Sequence, residues 1–263
     1  MPPIKRQFSL ALEALAELKS EASPPPLHSV PLAVAPDLDT VLAEIGPLPR
    51  DALFLGVASD GLPVLLNLRD PTPGPILITG DPGSGKTAFL QLIVESARRT
   101  HQRDALQIVA ITGHMDEWGG MAGSPNLAGL FSYHQSGAQD AILSLAAWAH
   151  SREGGRQSIL LLIDDLESVT KMDLEAIQQF RWLLMRGTSR RVWLFVTLSA
   201  ARYGEVIPWL PSFRTRLFGR IADERVARPL GADNPSGVNR LEAKIKFCLR
   251  ENGNWIQFWL PGF

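Results

Sequence analysis

The sequence predicts an α/β fold, a mostly parallel twisted sheet with helices on both faces, preceded by a β-hairpin and a short helical amino-terminal extension. Three observations predict it. Apolar runs of strand length alternate with helix-period patterns from residue 53 onward. A glycine-rich stretch, Gly80-Asp81-Pro82-Gly83-Ser84-Gly85-Lys86-Thr87, stands where one such strand hands over to a helix. A second apolar run, Ser158-Ile159-Leu160-Leu161-Leu162-Ile163, ends on two adjacent carboxylates, Asp164 and Asp165.

Two regions follow from composition: an extension over 1–50 and a larger domain over 51–263. In the extension, residues 7–20 place Phe8, Leu12, Leu15 and Leu18 on one stripe with Glu13, Glu17 and Lys19 opposite. That is an amphipathic helix in need of a surface, on its own domain, on a neighbouring subunit or on another protein. Pro24-Pro25-Pro26, Pro31 and Pro36 stiffen the link to a second short helical stretch over 37–45. The larger domain opens with Leu53-Phe54-Leu55-Gly56-Val57 and Pro63-Val64-Leu65-Leu66-Asn67-Leu68, two strand patterns joined through Asp60-Gly61, a hairpin signal. Ile76-Leu77-Ile78-Thr79 is the strand before the glycine-rich loop, and a helix follows over 86–101. Further strands are expected over 106–112, 158–163, 192–197, 216–221, 246–250 and 255–260, with helices over 137–152 and 173–186. Trp255 and Trp259 alternate with Gln257 and are expected to pack one sheet face.

The loop has the residue types that a phosphate cradle needs. Glycines at 80, 83 and 85 allow backbone conformations in which successive N–H groups turn toward one anion. The helix beginning near Lys86 adds unpaired N–H groups, Lys86 adds a point charge, and the Thr87 hydroxyl is placed to ligate Mg²⁺. Residues Gly80 to Ala88 are therefore the expected binding stretch for a nucleoside triphosphate. A chance glycine turn is the alternative, and the strand and helix flanks argue against it. Asp164 is the expected metal acid and Asp165 the base that orients a water, with Glu167 in reserve; a solvated Asp-Asp turn is the plainer reading. Together these patterns describe a P-loop NTPase. No guanine-reading Asn-Lys-x-Asp segment occurs.

The remaining composition narrows the class. The chain has 263 residues, 45% hydrophobic and 20% charged, sufficient for one substantial core. A net charge of −1 gives no bulk attraction to nucleic acid, so any DNA contact must be local. The run Arg186-Gly187-Thr188-Ser189-Arg190-Arg191 is one such place, though a solvated loop explains it as well. The single cysteine, Cys248, lies in an apolar stretch and reads as a buried thiol in a reducing cytoplasm. No apolar run reaches the length of about 18 residues that a membrane helix requires. Five scattered histidines show no metal-ligand spacing.

With these residues in view, the chain resembles the FtsK-HerA superfamily of P-loop ATPases. The likeness rests on the hairpin Phe54 to Val64 leading into Pro75-Ile76-Leu77-Ile78-Thr79-Gly80, on Pro125-Asn126-Leu127 and the helix after it, on Trp193-Leu194-Phe195-Val196-Thr197, and on Arg214-Thr215-Arg216-Leu217-Phe218-Gly219-Arg220-Ile221. It implies a sensor strand lying between the strand before the P-loop and the strand over 158–163, which resembles a Walker B strand. It also implies homo-oligomeric rings that move DNA or protein, with an arginine from the neighbouring subunit completing each site; Arg216 is the first choice for that arginine and Arg220 the second. Two departures stand out. Asp165 replaces the family's glutamate, and Leu198 occupies the position of a phosphate-sensing glutamine, with Thr197 and Ser199 beside it. The resemblance thus implies ATP hydrolysis coupled to translocation or remodelling of a polymer. The alternative is a slow ATP-dependent switch that recruits a partner through residues 7–20. A small-molecule kinase is the least favoured reading.

Overall fold

The computed structural model describes residues 36–151, 155–233, 236–251 and 254–263. Its sheet is organised around β3 (Ile76–Gly80), whose five residues are all buried. Ile76, Leu77 and Ile78 offer apolar side chains to both faces, as a strand covered on two sides requires. In parallel register, β3 pairs with β7 (Val192–Ser199) on one side and β8 (Thr215–Phe218) on the other. Beyond β7 come β6 (Ser158–Asp164), β4 (Leu106–Thr112) and β5 (Leu127–Ser132), all parallel. Beyond β8 the sheet turns antiparallel through β9 (Lys246–Glu251), β10 (Asn254–Trp259), β1 (Ala52–Ala58) and β2 (Pro63–Asn67). The ten-stranded order is β2-β1-β10-β9-β8-β3-β7-β6-β4-β5. The sensor strand β7 does lie between the P-loop strand and β6, as the resemblance implies.

Alternation along the central strands separates two cores. Leu77, Leu161, Ile163, Leu194 and Val196 pack on the face covered by α3 (Ser136–Ser151) and α5 (Leu174–Arg186). Ile76, Ile78, Leu160, Leu162, Trp193 and Phe195 face the other way, toward α2 (Lys86–Thr100) and the hairpin. On that side Phe89 of α2 meets Phe247 and Phe258 at centroid distances of 5.1 and 6.1 Å. Each fully buried side chain of this size contributes about 1.5–3 kcal/mol, so the P-loop helix is anchored in apolar contacts, not in the loop itself. The short α1 (Leu38–Ile45) starts where expected, with Asp37 as its N-cap accepting from the Thr40 amide. The expected helix over 7–20 and the proline link before residue 36 lie outside the described residues.

Three expectations change. Strand β5 is not among the strands expected from the sequence, because Leu127-Ala128-Gly129-Leu130-Phe131-Ser132 has no clean alternation and forms a half-exposed edge. Strand β8 ends at Phe218, three residues early: after the last ladder bond, from the Gly219 amide to Thr79 O at 2.8 Å, Arg220 O turns to the Asp81 amide and Ile221 N to Val238 O. Trp255 and Trp259 pack against different cores: Trp255 lies against Phe218, whereas Trp259, at the end of β10, lies between Lys246 of β9 and Val57 of β1. Cys248 is fully buried, and burial pushes its thiol up to about 12, which leaves no thiolate at neutral pH. Among the described residues no helix is long and apolar enough to cross a membrane.

Candidate functional site

The site grows from the carboxyl ends of β3, β6 and β7, where a parallel sheet leaves a crevice. At the end of β3 the chain turns through Gly83 (φ 75°) and Gly85 (φ 98°), left-handed conformations that glycine adopts without strain. Gly85 is the N-cap of α2 and offers no side-chain cap, so the first helical amides stay available to an anion. Lys86 Nζ donates to Gly80 O at 3.1 Å and to Asp81 O at 3.0 Å. Burial pulls its ammonium below the usual lysine value, against the opposing pull of Asp164 and Asp81.

Neighbouring elements hold the loop in place. The Asp81 amide donates to Arg220 O at 2.8 Å, and the Asp81 carboxylate accepts from the Ala222 amide at 2.8 Å. A Cβ on Gly80 would stand 2.4 Å from Ser84 Oγ, so the turn has no room for a larger residue there.

Asp164 ends β6 and is 7% exposed. Its carboxylate accepts from Thr87 Oγ1 at 2.8 Å and from Thr197 Oγ1 at 2.6 Å, joining α2, β6 and β7 through one group. A hydroxyl and a carboxylate in contact beside a phosphate cradle are a hard-oxygen donor set, which fits Mg²⁺ with water completing its shell. The residues present therefore fit both a nucleoside triphosphate and its metal. Asp165 caps the short α4 (Leu166–Val169), accepting from Ser168 N at 3.3 Å and Ser168 Oγ at 3.1 Å.

Glu167 is buried, and Arg202 Nε stands 3.2 Å from its Oε1. Burial, then the adjacent Asp165 carboxylate, raise Glu167 to about 8. Burial also raises Asp165, but hydrogen bonds from Glu167 and Ser168 outweigh it and hold Asp165 below the ordinary carboxylate value. The pair lines a cavity of about 280 Å³ together with Tyr133, His134, Lys171 and Arg202. A larger cavity, about 650 Å³, opens at the other end of the strands between Pro75, Arg186, Thr188 and Arg214, away from these groups.

The pH consequence has a definite sign. Between Glu167's unfolded value near 4.5 and its folded value of about 8, the folded state keeps a proton that the unfolded state has released. Stability therefore falls as pH rises through that window. Glu167→Gln has no such proton, so its stability relative to wild type should improve from pH 5 to pH 8, by on the order of 2 kcal/mol. Urea unfolding at the two pH values measures this; an unchanged gap would discard the assignment.

No family model matches the sequence, and no curated protein does. Solved structures do match. The cytoplasmic domain of the type VII secretion ATPase EccC from Thermomonospora curvata superposes on 92% of this chain and 29% of its own, with TM-score 0.69 and 16% identity. The cytoplasmic domain of EssC does so over 95% and 51%, with TM-score 0.66 and 14% identity. The conjugation coupling protein TcpA of pCW3, solved in monomer form with ATPγS, covers 97% of this chain and 82% of its own at TM-score 0.63 and 15% identity. The chain shares the α/β fold of these solved structures. It spans about a third of EccC's cytoplasmic domain and half of EssC's.

Within this fold, the sequence-predicted residues fall into two groups. Gly80 to Ala88, Asp164, Asp165 and Thr197 converge at one end of the sheet. Leu198 pairs with Thr79 and is fully buried in the core, so the polar contact near the end of β7 comes from Thr197. Arg216 stands apart, level with Leu77 on β3. Its guanidinium donates to Leu230 O at 2.6 Å and Leu210 O at 2.9 Å, and burial lowers its pKa. Reaching a neighbouring subunit would require breaking both bonds. Arg220 is exposed at the loop's own edge. Sequence reasoning missed Arg202 and the contact of Asp81 with residues 220 and 222, which join segments far apart in the chain and leave no local pattern.

Proposed function

We propose that the chain is an Mg²⁺-dependent ATPase of the FtsK-HerA class, acting in a cytoplasmic homo-oligomeric ring that couples ATP hydrolysis to movement or remodelling of a polymer, with DNA the first candidate. The observation that carries this reading is the joining of Thr87, Asp164 and Thr197 beside Lys86. Backbone amides of residues 80–88 and the Lys86 ammonium bind the phosphate chain. Thr87 and Asp164 hold the metal, which when bound neutralises charge on the phosphate oxygens. Asp165, kept ionised by its hydrogen bonds, can accept a proton from an attacking water. Arg220, exposed and without a side-chain partner among the described residues, is the better candidate than Arg216 for completing a site in a ring.

A second reading has its own support. Asp165 is engaged as a helix cap and Leu198 is buried, and both features fit slow hydrolysis by a nucleotide-dependent switch that engages a protein through residues 7–20. Solution mass measured with and without ATP and Mg²⁺, paired with phosphate release with and without DNA, separates the two. The motor reading expects a ring-sized mass and DNA-stimulated hydrolysis that weakens with salt. A persistent monomer whose slow hydrolysis ignores DNA favours the switch, and absence of ATP binding overturns both.

A further inference from the structure

A turn ahead of β9 lies directly against the loop. The Lys244 amide donates to Ser84 O at 2.9 Å. The approach is close enough that a Cβ on Gly85 would stand 2.6 Å from Lys244 Cα. Lys244 itself has φ 71°, and among the described residues only Arg191 shares that conformation without being glycine. The turn is fixed from both ends: Leu241 and Phe247 are buried, and Leu260 N donates to Ile245 O at 2.8 Å.

Such a backbone is strained for lysine, and a glycine would satisfy the same turn without that strain. The lysine therefore needs a reason other than the turn. Its side chain is exposed and has no hydrogen bond or ion pair among the described residues. It sits beside Ser84 and Gly85, immediately before the amides and ammonium of the phosphate cradle.

We propose that Lys244 is a second phosphate-binding cation of the nucleotide site, held over the final glycine of the loop by its left-handed backbone and directed at the polyphosphate chain of a nucleoside triphosphate. The inference rests on the ATP-binding reading above. Geometry divides the work between the lysines. Lys86 approaches from the helix and is engaged with loop carbonyls, whereas Lys244 closes the cradle from the antiparallel half of the sheet. The turn ahead of β9 thereby becomes part of the nucleotide site as well as part of the scaffold.

The test measures Mg-ATP and Mg-tripolyphosphate affinity by calorimetry on the full chain for wild type, Lys244→Ala, Lys244→Gly and Lys244→Arg. Loss of a charge-assisted contact corresponds to about tenfold to a hundredfold weaker binding. Alanine and glycine should weaken both ligands by that factor, and arginine should restore most of the affinity. Lys244→Gly should melt no lower than wild type, because its backbone tolerates the turn. Wild-type affinity in both the alanine and glycine variants would overturn the proposal, as would weakening of ATP but not tripolyphosphate, which would place the contact on base or ribose. Loss of affinity in all three variants with lowered melting would make Lys244 structural and also overturn it. Failure of wild type to bind either ligand is the distinguishable case, since it removes the ATP-binding reading itself.

Discussion

Lys86→Ala is expected to abolish measurable ATP hydrolysis and to weaken ATP binding by at least about a hundredfold, the scale of losing charge-assisted bonds to phosphate. The ammonium donates to the Gly80 and Asp81 carbonyls, which shows that it can fold back over the loop where the phosphates would lie. The fold should survive the change. Of the carbonyls that Lys86 leaves, that of Asp81 is on a half-exposed residue and that of buried Gly80 stays in register with Ser199 of β7, while α2 stays anchored by Phe89, Leu92 and Ile93 in the core. Melting should therefore shift by no more than about 1 kcal/mol of stability. Calorimetry with Mg-ATP, together with a thermal melt, checks both halves. Retained affinity in a folded variant would remove the phosphate-cradle assignment. Arginine is not expected to rescue the site, because its planar fork cannot replace a compact ammonium inside a turn this tight.

Asp164→Ala is expected to reduce Mg²⁺-dependent phosphate release by at least about a hundredfold and, unlike the lysine change, to destabilise the fold as well. The carboxylate accepts two hydroxyl hydrogen bonds, from Thr87 and from the fully buried Thr197. Alanine leaves Thr197 without an acceptor, at a cost of about 1–3 kcal/mol. Asp164→Asn separates the two effects. An amide oxygen can still accept from one threonine, so much of the stability should return, but the neutral group cannot replace a carboxylate beside a divalent cation. A Mg²⁺ titration of phosphate release, combined with urea unfolding of both variants, would expose an error. If asparagine retained hydrolysis at ordinary Mg²⁺ concentration, Asp164 would be a structural knot and not a metal acid.

How much of this was legible in the sequence depends on the distance over which each signal acts. The loop and its flanks are a local pattern, and β3, Gly83, Gly85 and α2 follow from residues adjacent in the chain. The apolar run of β6 and the hairpin were equally readable because period and turn residues sit side by side. Strand β5 escaped because an exposed edge imposes little hydrophobic pattern on its residues. At the site, Asp164 could be named from its place after an apolar strand, but its contact with Thr197 could not, since nothing near residue 197 encodes proximity to residue 164. Arg216 shows the opposite problem. An arginine on the strand after β7 invites a functional reading, and only the fold reveals carbonyls of Leu210 and Leu230 already occupying it. Lys244 carries no motif at all, and its meaning comes from a dihedral angle and a neighbour.

The hold that Asp81 keeps on residues 220 and 222, through its amide and its carboxylate, has a mechanical consequence. A push delivered to the exposed corner at Arg220 by any adjoining molecule would tug on the second residue of the glycine turn, and swelling of that turn around a triphosphate would shove the corner outward. The linkage works in both directions, so load at the rim and occupancy of the pocket each become a lever on the other.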